Sequence, residues 1–182
     1  MDQCSDAAEL SPALSAPPGQ EHAAAAVSAL YREHALSLIR LAHIVLGNRA
    51  AAEDVVQEAF CGLFRRWEHV SSKDRAVGYV RASVLNGCRS VQRRGVTSEL
   101  TDAYQPITVS AEATVLSAEE RRGVVRALRR LPERQRDVLV LRYYLDLPDE
   151  QIAADLGIRP STVRSTRRRA LAGLTRLLEE QS

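Results

Sequence analysis

The sequence predicts an all-α protein built from two small helical domains. Aromatic residues make up only 4% of the 182-residue chain and hydrophobic residues 45%. The core must therefore consist mostly of leucine, valine, isoleucine and alanine, which is typical of helical bundles and not of strand-rich proteins. In both halves the apolar residues recur at steps of three and four. Between the halves, residues 96–116 show no sustained period, and a linker of this length is unusual inside one compact domain.

The first predicted domain covers residues 25–95 and follows a tail. Residues 1–24 are rich in alanine, serine and proline, so we expect them to be disordered. The first helix of the domain carries an apolar face, and Gly47 is placed to end it in a left-handed cap. The residues of this face are Leu30, Ala35, Leu38, Leu41, Ala42 and Val45.

Two further helices complete the first domain. Asn48 is a candidate N-cap for the second helix, which has a wide apolar stripe. The segment "HVSSKD" interrupts the pattern, and a third helix runs from about 75 to 94 before Gly95 ends it. We expect burial of Val55, Val56, Ala59, Phe60, Leu63, Phe64 and Trp67 in the second helix, and of Val77, Val80, Val84 and Val91 in the third.

The second predicted domain covers residues 117–182 and is joined to the first by a flexible acidic linker. From Ser98 to Glu120 the chain contains acids and no lysine or arginine. Pro132 ends one helix and suits the first turn of the next, whose apolar residues are Val138, Leu139, Leu141 and Tyr144. The other helices of this domain are predicted over about 117–131, 149–156 and 160–178.

Positive charge is concentrated in two blocks of arginine. The net charge is only +2, and Lys73 is the single lysine. The segments 75–95 and 157–178 contain five and six arginines and no acid. Two basic blocks separated by an acidic segment indicate two surfaces for one polyanion, and arginine suits phosphates and base edges. Solvated helix faces shaped by codon usage are the alternative explanation.

Several classes of protein are disfavoured. The three cysteines, Cys4, Cys61 and Cys88, are odd in number, lack CxxC spacing and stand apart from the histidines, which argues against a disulfide framework and a metal site. We expect no membrane insertion, no secretion signal and a reduced cytoplasmic setting. A phosphate-binding glycine loop and catalytic motifs are missing from the sequence, so we expect neither an enzyme nor a cofactor.

The segment "DEQIAADLGIRPSTVRSTRR", about 149–168, matches a helix-turn-helix. Ala153 supplies the small residue where two helices cross, Gly157 the positive φ of the turn, and Val163 the aliphatic contact back to the first helix. An ordinary αα-hairpin is the alternative. We expect Arg159, just before Pro160, to leave the second helix less well capped.

The second helix of this motif would place its exposed N-terminal face in the DNA major groove. Arginine recognises guanine with two hydrogen bonds, and serine or threonine bonds bases or phosphates. The residues expected at the bases are Ser161, Thr162, Arg164, Ser165 and Arg168, and those expected at backbone phosphates are Arg159 and Arg167.

The first domain narrows the range of functions that a helix-turn-helix protein can have. In "AAEDVVQEAFCGLFRRW" the polar face gathers acids and an amide, an arginine-rich helix follows, and the helix-turn-helix comes last. This order resembles a bacterial RNA polymerase sigma factor of the extracytoplasmic-function (ECF) group of the sigma-70 family, over roughly residues 25–178. "EDVVQEAF" and "LFRRW" resemble its polymerase-binding helix. "YVRASVLNGCRSVQRR" resembles the part of region 2 that melts and recognises the −10 element. "LRRLPERQRDVLVLRYYLDLPDEQIAADLGIRPSTVRSTRRRAL" resembles region 4, which recognises the −35 element.

The resemblance implies a promoter-specific initiation factor with two partners, core RNA polymerase and promoter DNA. It leaves an anti-sigma protein open as a third. Asp54, Gln57 and Glu58 would contact the clamp of the largest polymerase subunit. Asn86 would meet a flipped base of the non-template strand, and the phosphates of that strand would be held by Arg81, Arg89, Arg93 and Arg94.

Some alternatives stay open on the sequence. Trp67 and Tyr79 would either stack on a base or belong to the core. The chain departs from the family pattern at Leu147–Pro148 and at Pro160, which leaves its −35 preference undefined. A stand-alone helix-turn-helix regulator that binds duplex DNA as a dimer is the main rival function. A metal-dependent redox sensor or enzyme using Cys61 and Cys88 is a third.

Overall fold

The computed structural model describes residues 18–70, 72–95 and 117–181, and within them it is helical throughout, with no strand. The elements in chain order are α1 (Pro18–Leu46), α2 (Arg49–Arg65), a 3₁₀ turn (Trp67–His69), α3 (Lys73–Arg93), α4 (Ala118–Arg130), α5 (Glu133–Leu139), a π-helical turn (Val140–Tyr144), α6 (Asp149–Leu156) and α7 (Pro160–Glu179).

The helix ends in the first half follow the predicted capping chemistry. Gly47 has φ +77° after α1, and Gly95 has φ +68° after α3. The side chain of Asn48 accepts a hydrogen bond of 2.9 Å from the backbone N–H of Ala51, so it caps α2 as expected. The predicted tail extends too far, because α1 begins at Pro18 and residues 18–24 are helical. The rest of the predicted tail lies outside the described residues.

The second half also begins on a defined cap. Ser117 and Glu120 form a reciprocal capping box at the start of α4. Pro132 was predicted in the first turn of α5, but it lies one position earlier. Its carbonyl accepts from the backbone N–H groups of Gln135 and Arg136, which makes it the N-cap. The predicted linker, 96–116, lies outside the described residues.

Helices α1, α2 and α3 pack around the predicted apolar stripes. Leu38, Leu41, Val56, Leu63 and Val84 are among the fully buried side chains. One expectation for α2 was wrong, because Phe64 is 42% exposed. Trp67 lies in the 3₁₀ turn that follows α2, where it is half-buried and packs against the core.

The described residues form two buried apolar clusters, and the larger one is shared by the two halves. Val138, Leu141, Ile152 and Val163 of the second half belong to the same buried cluster as the first-half core. Helix α6 packs on α3, and α4 packs on α1. Each valine, leucine or isoleucine buried in this way stabilises the fold by about 1.5–3 kcal/mol relative to exposure. The predicted domains therefore lie against each other instead of standing apart.

Candidate nucleic-acid and partner interfaces

Helices α6 and α7 form the predicted helix-turn-helix. Gly157 ends α6 with φ +63°, and the N–H of Ile158 donates to the carbonyl of Ala153 at 2.9 Å, which closes the turn. Ala153 lies at the buried crossing, and Val163 points back into the core. As expected, no side chain caps α7. The carbonyl of Arg159 accepts the first backbone hydrogen bonds of the helix.

The N-terminal face of α7 presents most of the predicted DNA-contacting side chains to solvent. Arg159, Ser161, Arg164, Ser165 and Arg168 are exposed, and Thr162 is half-buried. The hydroxyl of Ser165 donates to the carbonyl of Thr162 at 3.1 Å. This face can therefore offer arginine forks and hydroxyls to a groove without rearrangement of the backbone.

Two arginines of α7 differ from the expectation. Arg167 is tied to Asp149 at the start of α6, with Nη1 2.5 Å from Oδ1, so its guanidinium helps to fix the two helices together. Arg169 is exposed and was not among the predicted contacts. It follows Ser165 by one helical turn, so its spacing alone would have placed it on this face.

The acidic face of α2 is also open to solvent. Asp54, Gln57 and Glu58 are all exposed on the side opposite the buried stripe. Glu58 accepts from Arg65 at 2.6 Å, and this exposed pair is screened by water. The three side chains lie within little more than one helical turn of one another, which makes a compact acidic patch.

The α3 residues that are predicted to bind the non-template DNA strand lie on two sides of the helix. Asn86, Arg93 and Arg94 are exposed to solvent. Arg81 and Arg89 point toward the second half of the chain. The Arg81 side chain is 7% exposed and makes a two-pronged contact with Asp155, which is 5% exposed. Its Nε lies 2.5 Å from Oδ2 and its Nη2 lies 3.2 Å from Oδ1.

Arg89 makes the second charged contact between the halves. Its Nε donates to Oδ2 of Asp137 at 3.1 Å, and its Nη2 contacts the same oxygen. Its Nη1 donates to the Asn86 side chain at 2.6 Å. Burial raises the pKa of Asp137, while the hydrogen bond and charge of Arg89 act in the opposite direction. Arg136 adds a 2.9 Å hydrogen bond to Gln92.

The remaining candidate residues are two cysteines and two aromatic residues. Cys88 is fully buried on α3, and burial, followed by the charge of Asp137, raises the pKa of its thiol to about 12. Cys61 is exposed and free. Trp67 and Tyr79 both pack against the core, which favours their core role.

Over the described ranges, the His, Cys, Asp and Glu side chains form no group of three able to hold a metal ion. Within the same ranges, none of the helices has the length and apolar character needed to span a membrane.

Comparisons with known families match both halves. The family model for sigma-70 region 2 matches residues 30–97, and the family model for sigma-70 region 4 matches residues 121–174. The RNA polymerase sigma-E factor of Streptomyces coelicolor is 33% identical over 138 residues, which are 76% of this chain and 77% of that protein. The ECF RNA polymerase sigma factor SigL of Mycobacterium tuberculosis is 34% identical over 165 residues, 86% of this chain and 91% of that protein.

Solved structures show the same fold. CnrH, determined in complex with the cytosolic domain of CnrY, superposes with a TM-score of 0.65 at 23% identity and covers 90% of this chain and 98% of that one. The sigma factor RpoE of Bartonella quintana, in complex with the anti-sigma factor NepR, gives a TM-score of 0.58 at 19% identity over 88% of this chain and 96% of that one.

Proposed function

The chain belongs to the extracytoplasmic-function sigma factors of the sigma-70 family and directs promoter-specific transcription initiation, and from this premise we propose how its surfaces divide that work. It acts by binding and not by catalysis. Its place is the cytoplasm, where core polymerase and promoter DNA are found.

The acidic patch on α2 is the contact for core RNA polymerase. Asp54, Gln57 and Glu58 are exposed and close together, so their charges can face a basic partner surface simultaneously. Opposite potentials on two faces raise the association rate and fix the orientation of the complex. The basic clamp of the largest polymerase subunit is the partner that this patch fits.

The exposed face of α7 recognises the −35 element. Arg164 and Arg168 lie one turn apart and offer two-pronged donors to base edges, with Ser161 and Ser165 beside them. Arg159 and Arg169 lie at the margins and suit phosphates. Arg167, held by Asp149, positions the helix and contributes to DNA binding mainly through its charge.

The α3 helix holds the melted strand. Asn86, Arg93 and Arg94 are available to it directly. Arg81 and Arg89 join them only when their contacts with the second half are released. A single strand requires a basic track and positions for unstacked bases, and the arginine-rich side of α3 supplies the track.

The observation that carries this proposal is the simultaneous exposure of the acidic patch on α2 and the donors on α7 in one molecule. A stand-alone regulator needs only the second of these surfaces. The sigma factor RpoE of Bartonella quintana was solved in complex with the anti-sigma factor NepR, and we include an anti-sigma protein among the partners of this chain.

The first test is co-migration with bacterial core RNA polymerase on gel filtration. We expect a one-to-one complex with the wild-type chain and a weaker one with Asp54→Ala/Glu58→Ala, because the patch loses two charges. The matched control is Glu150→Ala/Glu179→Ala, which removes two exposed charges from the other half. Equal binding by both variants would refute the role of the patch. A dimer that shifts duplex DNA without polymerase would favour the stand-alone regulator instead.

A further inference from the structure

An acid lies inside the helix-turn-helix that is proposed to bind DNA. Asp149 begins α6, and its Oδ1 atom accepts a hydrogen bond of 2.5 Å from Nη1 of Arg167 on α7. The side chains of Asp149 and Arg167 are 13% and 28% exposed, so water screens this ion pair only in part. A carboxylate close to DNA phosphates repels them. An acid at this position is therefore unexpected unless it serves DNA binding in another way.

The hydrogen bond to Asp149 uses only part of the Arg167 guanidinium group. The donors of arginine lie on all three of its guanidinium nitrogens in one rigid plane, and Asp149 takes only Nη1. The Nε and Nη2 atoms have no acceptor among the residues that the structure describes, and neither is a buried atom without a partner. Both remain open to solvent and to a ligand. Because the plane is rigid, the bond at Nη1 also restricts the directions of the other donors.

Arg167 lies on the side of α7 where a phosphate is expected. It comes three residues after Arg164, so the two side chains are neighbours on the helix surface. Arg164 is exposed, whereas Thr166, directly before Arg167, is buried. Arg167 is thus at the edge of the exposed face, beside the beginning of α6. In helix-turn-helix complexes the second helix enters the major groove and the first crosses the sugar–phosphate backbone. A phosphate would therefore approach the junction of α6 and α7, where this guanidinium group lies.

An oriented donor binds a phosphate better than a mobile one. A long side chain loses rotamer freedom when a complex fixes it, and the loss is smaller when the free protein already holds the side chain in place. Charge-assisted hydrogen bonds to phosphate also depend on the geometry of the arginine fork. A carboxylate that holds one nitrogen can thus make the remaining nitrogens more effective. Its own repulsion of the phosphate is reduced, because its charge is already paired.

We propose that Asp149 is a positioning residue for DNA binding, which directs the open Nε and Nη2 donors of Arg167 at a backbone phosphate beside the −35 element. It gives the charge of Arg167 a fixed direction. The inference deepens the proposed function and rests on its assignment of α7 to DNA. An acid of the helix-turn-helix then increases DNA affinity, which is the opposite of its electrostatic effect alone. Because the contact is with the backbone, it strengthens binding to every sequence.

The next residue in the chain supplies a matched control. Glu150 follows Asp149 in the first turn of α6 and is exposed, with no ion pair to any residue that the structure describes. Asp149→Ala and Glu150→Ala each remove one negative charge and place the same residue in the same turn of the same helix. Electrostatic repulsion alone predicts tighter DNA binding for both variants. The proposal predicts opposite changes in affinity.

The experiment measures binding of the full chain to two fluorescein-labelled DNA duplexes of unrelated sequence, by fluorescence anisotropy from about 50 to 200 mM salt. Glu150→Ala should bind as tightly as the wild-type chain or up to about threefold more tightly. Asp149→Ala should bind both duplexes about threefold to tenfold more weakly, because Arg167 must then be ordered on binding. Circular dichroism in urea verifies that each variant is folded under the assay conditions.

Two outcomes of this comparison would overturn the proposal. Binding by Asp149→Ala that is as tight as wild type, or tighter, would mean that the acid acts only through its repulsion. A similar loss in Asp149→Ala and Glu150→Ala would mean that the effect does not pass through Arg167.

Arg167→Lys separates the orientation of the donors from a purely structural role of the ion pair. Lysine keeps the positive charge and can still pair with Asp149, but its ammonium group lacks the rigid fork. We expect binding to both duplexes to be about threefold weaker or more. Wild-type affinity in this variant would overturn the proposal, because charge and attachment to α6 would then suffice.

Arg167→Gln tests whether a phosphate is contacted at all. The slope of log affinity against log salt should become shallower by about one, equally on both duplexes. An unchanged slope would overturn the proposal. Failure of the wild-type chain to bind core RNA polymerase would refute the proposed function separately, because the duplex measurements contain no polymerase.

Discussion

Arginine takes very different roles in this molecule according to what lies opposite each guanidinium group. Arg81 is buried and paired with Asp155, whereas Arg164 points into solvent. Arg129 lies between these cases. It donates to the carbonyls of Ile44 and His43 at 2.8 and 3.1 Å, near the C-terminal end of α1, where the helix dipole favours a cation. The same residue type thus supports the contact between the halves and supplies the proposed contact with DNA.

Arg164→Ala tests whether that side chain recognises a base. We expect a loss of about 1–3 kcal/mol in binding to the −35 sequence if it donates to a guanine edge, and a smaller loss on other sequences. Affinity should be measured by fluorescence anisotropy with polymerase holoenzyme on matched and mutated promoters. Arg176→Ala, at the exposed far end of α7, is the control. An equal loss on every sequence would mean that Arg164 holds only phosphate.

The sequence predicted features that depend on near neighbours. The cap at Asn48 and the turn at Gly157 follow from side-chain chemistry within a few residues, and both are confirmed. The pairing of Arg81 with Asp155 could not be predicted, because 74 residues separate the two and an arginine within a basic block has the pattern of a solvent-facing residue. The exposed face of α7 was therefore predictable from the sequence, and the surroundings of the arginines on α3 were predictable only in part.

At the scale of elements, α1, α3 and α6 each end at a glycine with a positive φ angle. Gly157 is left-handed, and a Cβ added there would have no atom within 4 Å. Strain in the backbone is thus the only penalty for a side chain at this position. Gly123 lies inside α4, where an added Cβ would come no closer than 3.8 Å to another group.

These two glycines make a matched pair for a stability measurement. Gly157→Ala should lower the free energy of unfolding by about 1–2 kcal/mol, because alanine disfavours the left-handed region. Gly123→Ala should raise it by about 0.5–1 kcal/mol, since alanine is the better residue inside a helix. Urea denaturation followed by circular dichroism gives both values. Destabilisation of similar size in both variants would contradict this explanation of the turn.

The connection between α5 and α6 is the element that the sequence described least well. Apolar spacing predicted an ordinary helix through Tyr144, but the helix widens into a π-helical turn over Val140–Tyr144. The N–H of Leu145 donates to the carbonyl of Val140, five residues earlier, and Asp146 follows with φ +50°. Apolar periodicity does not distinguish a π turn from an α turn over so few residues.

At the scale of the whole molecule, the shared core joins two halves that the sequence presented as separate domains. The length and polarity of residues 96–116 favoured separation. Val84 of the first half and Ile152 of the second half nevertheless belong to one buried apolar cluster. An apolar stripe predicts that one face of a helix is buried, but it does not indicate which element packs against that face.

We expect the free chain to unfold in a single cooperative transition, because disruption of either half exposes the core of the other. Near-ultraviolet and far-ultraviolet circular dichroism should give the same midpoint in urea. Asp155→Asn should separate the transitions by weakening the contact between halves, and Glu150→Gln should not. Two transitions in the wild-type chain would show that the shared core contributes little to stability.

The missing side chain at Gly78 has an evolutionary consequence. A glycine codon becomes an alanine codon through one base change, and that change would push Asp155 away from Arg81 while it strengthens the helix. A single base change can therefore weaken the contact between the two halves without weakening the α3 helix itself.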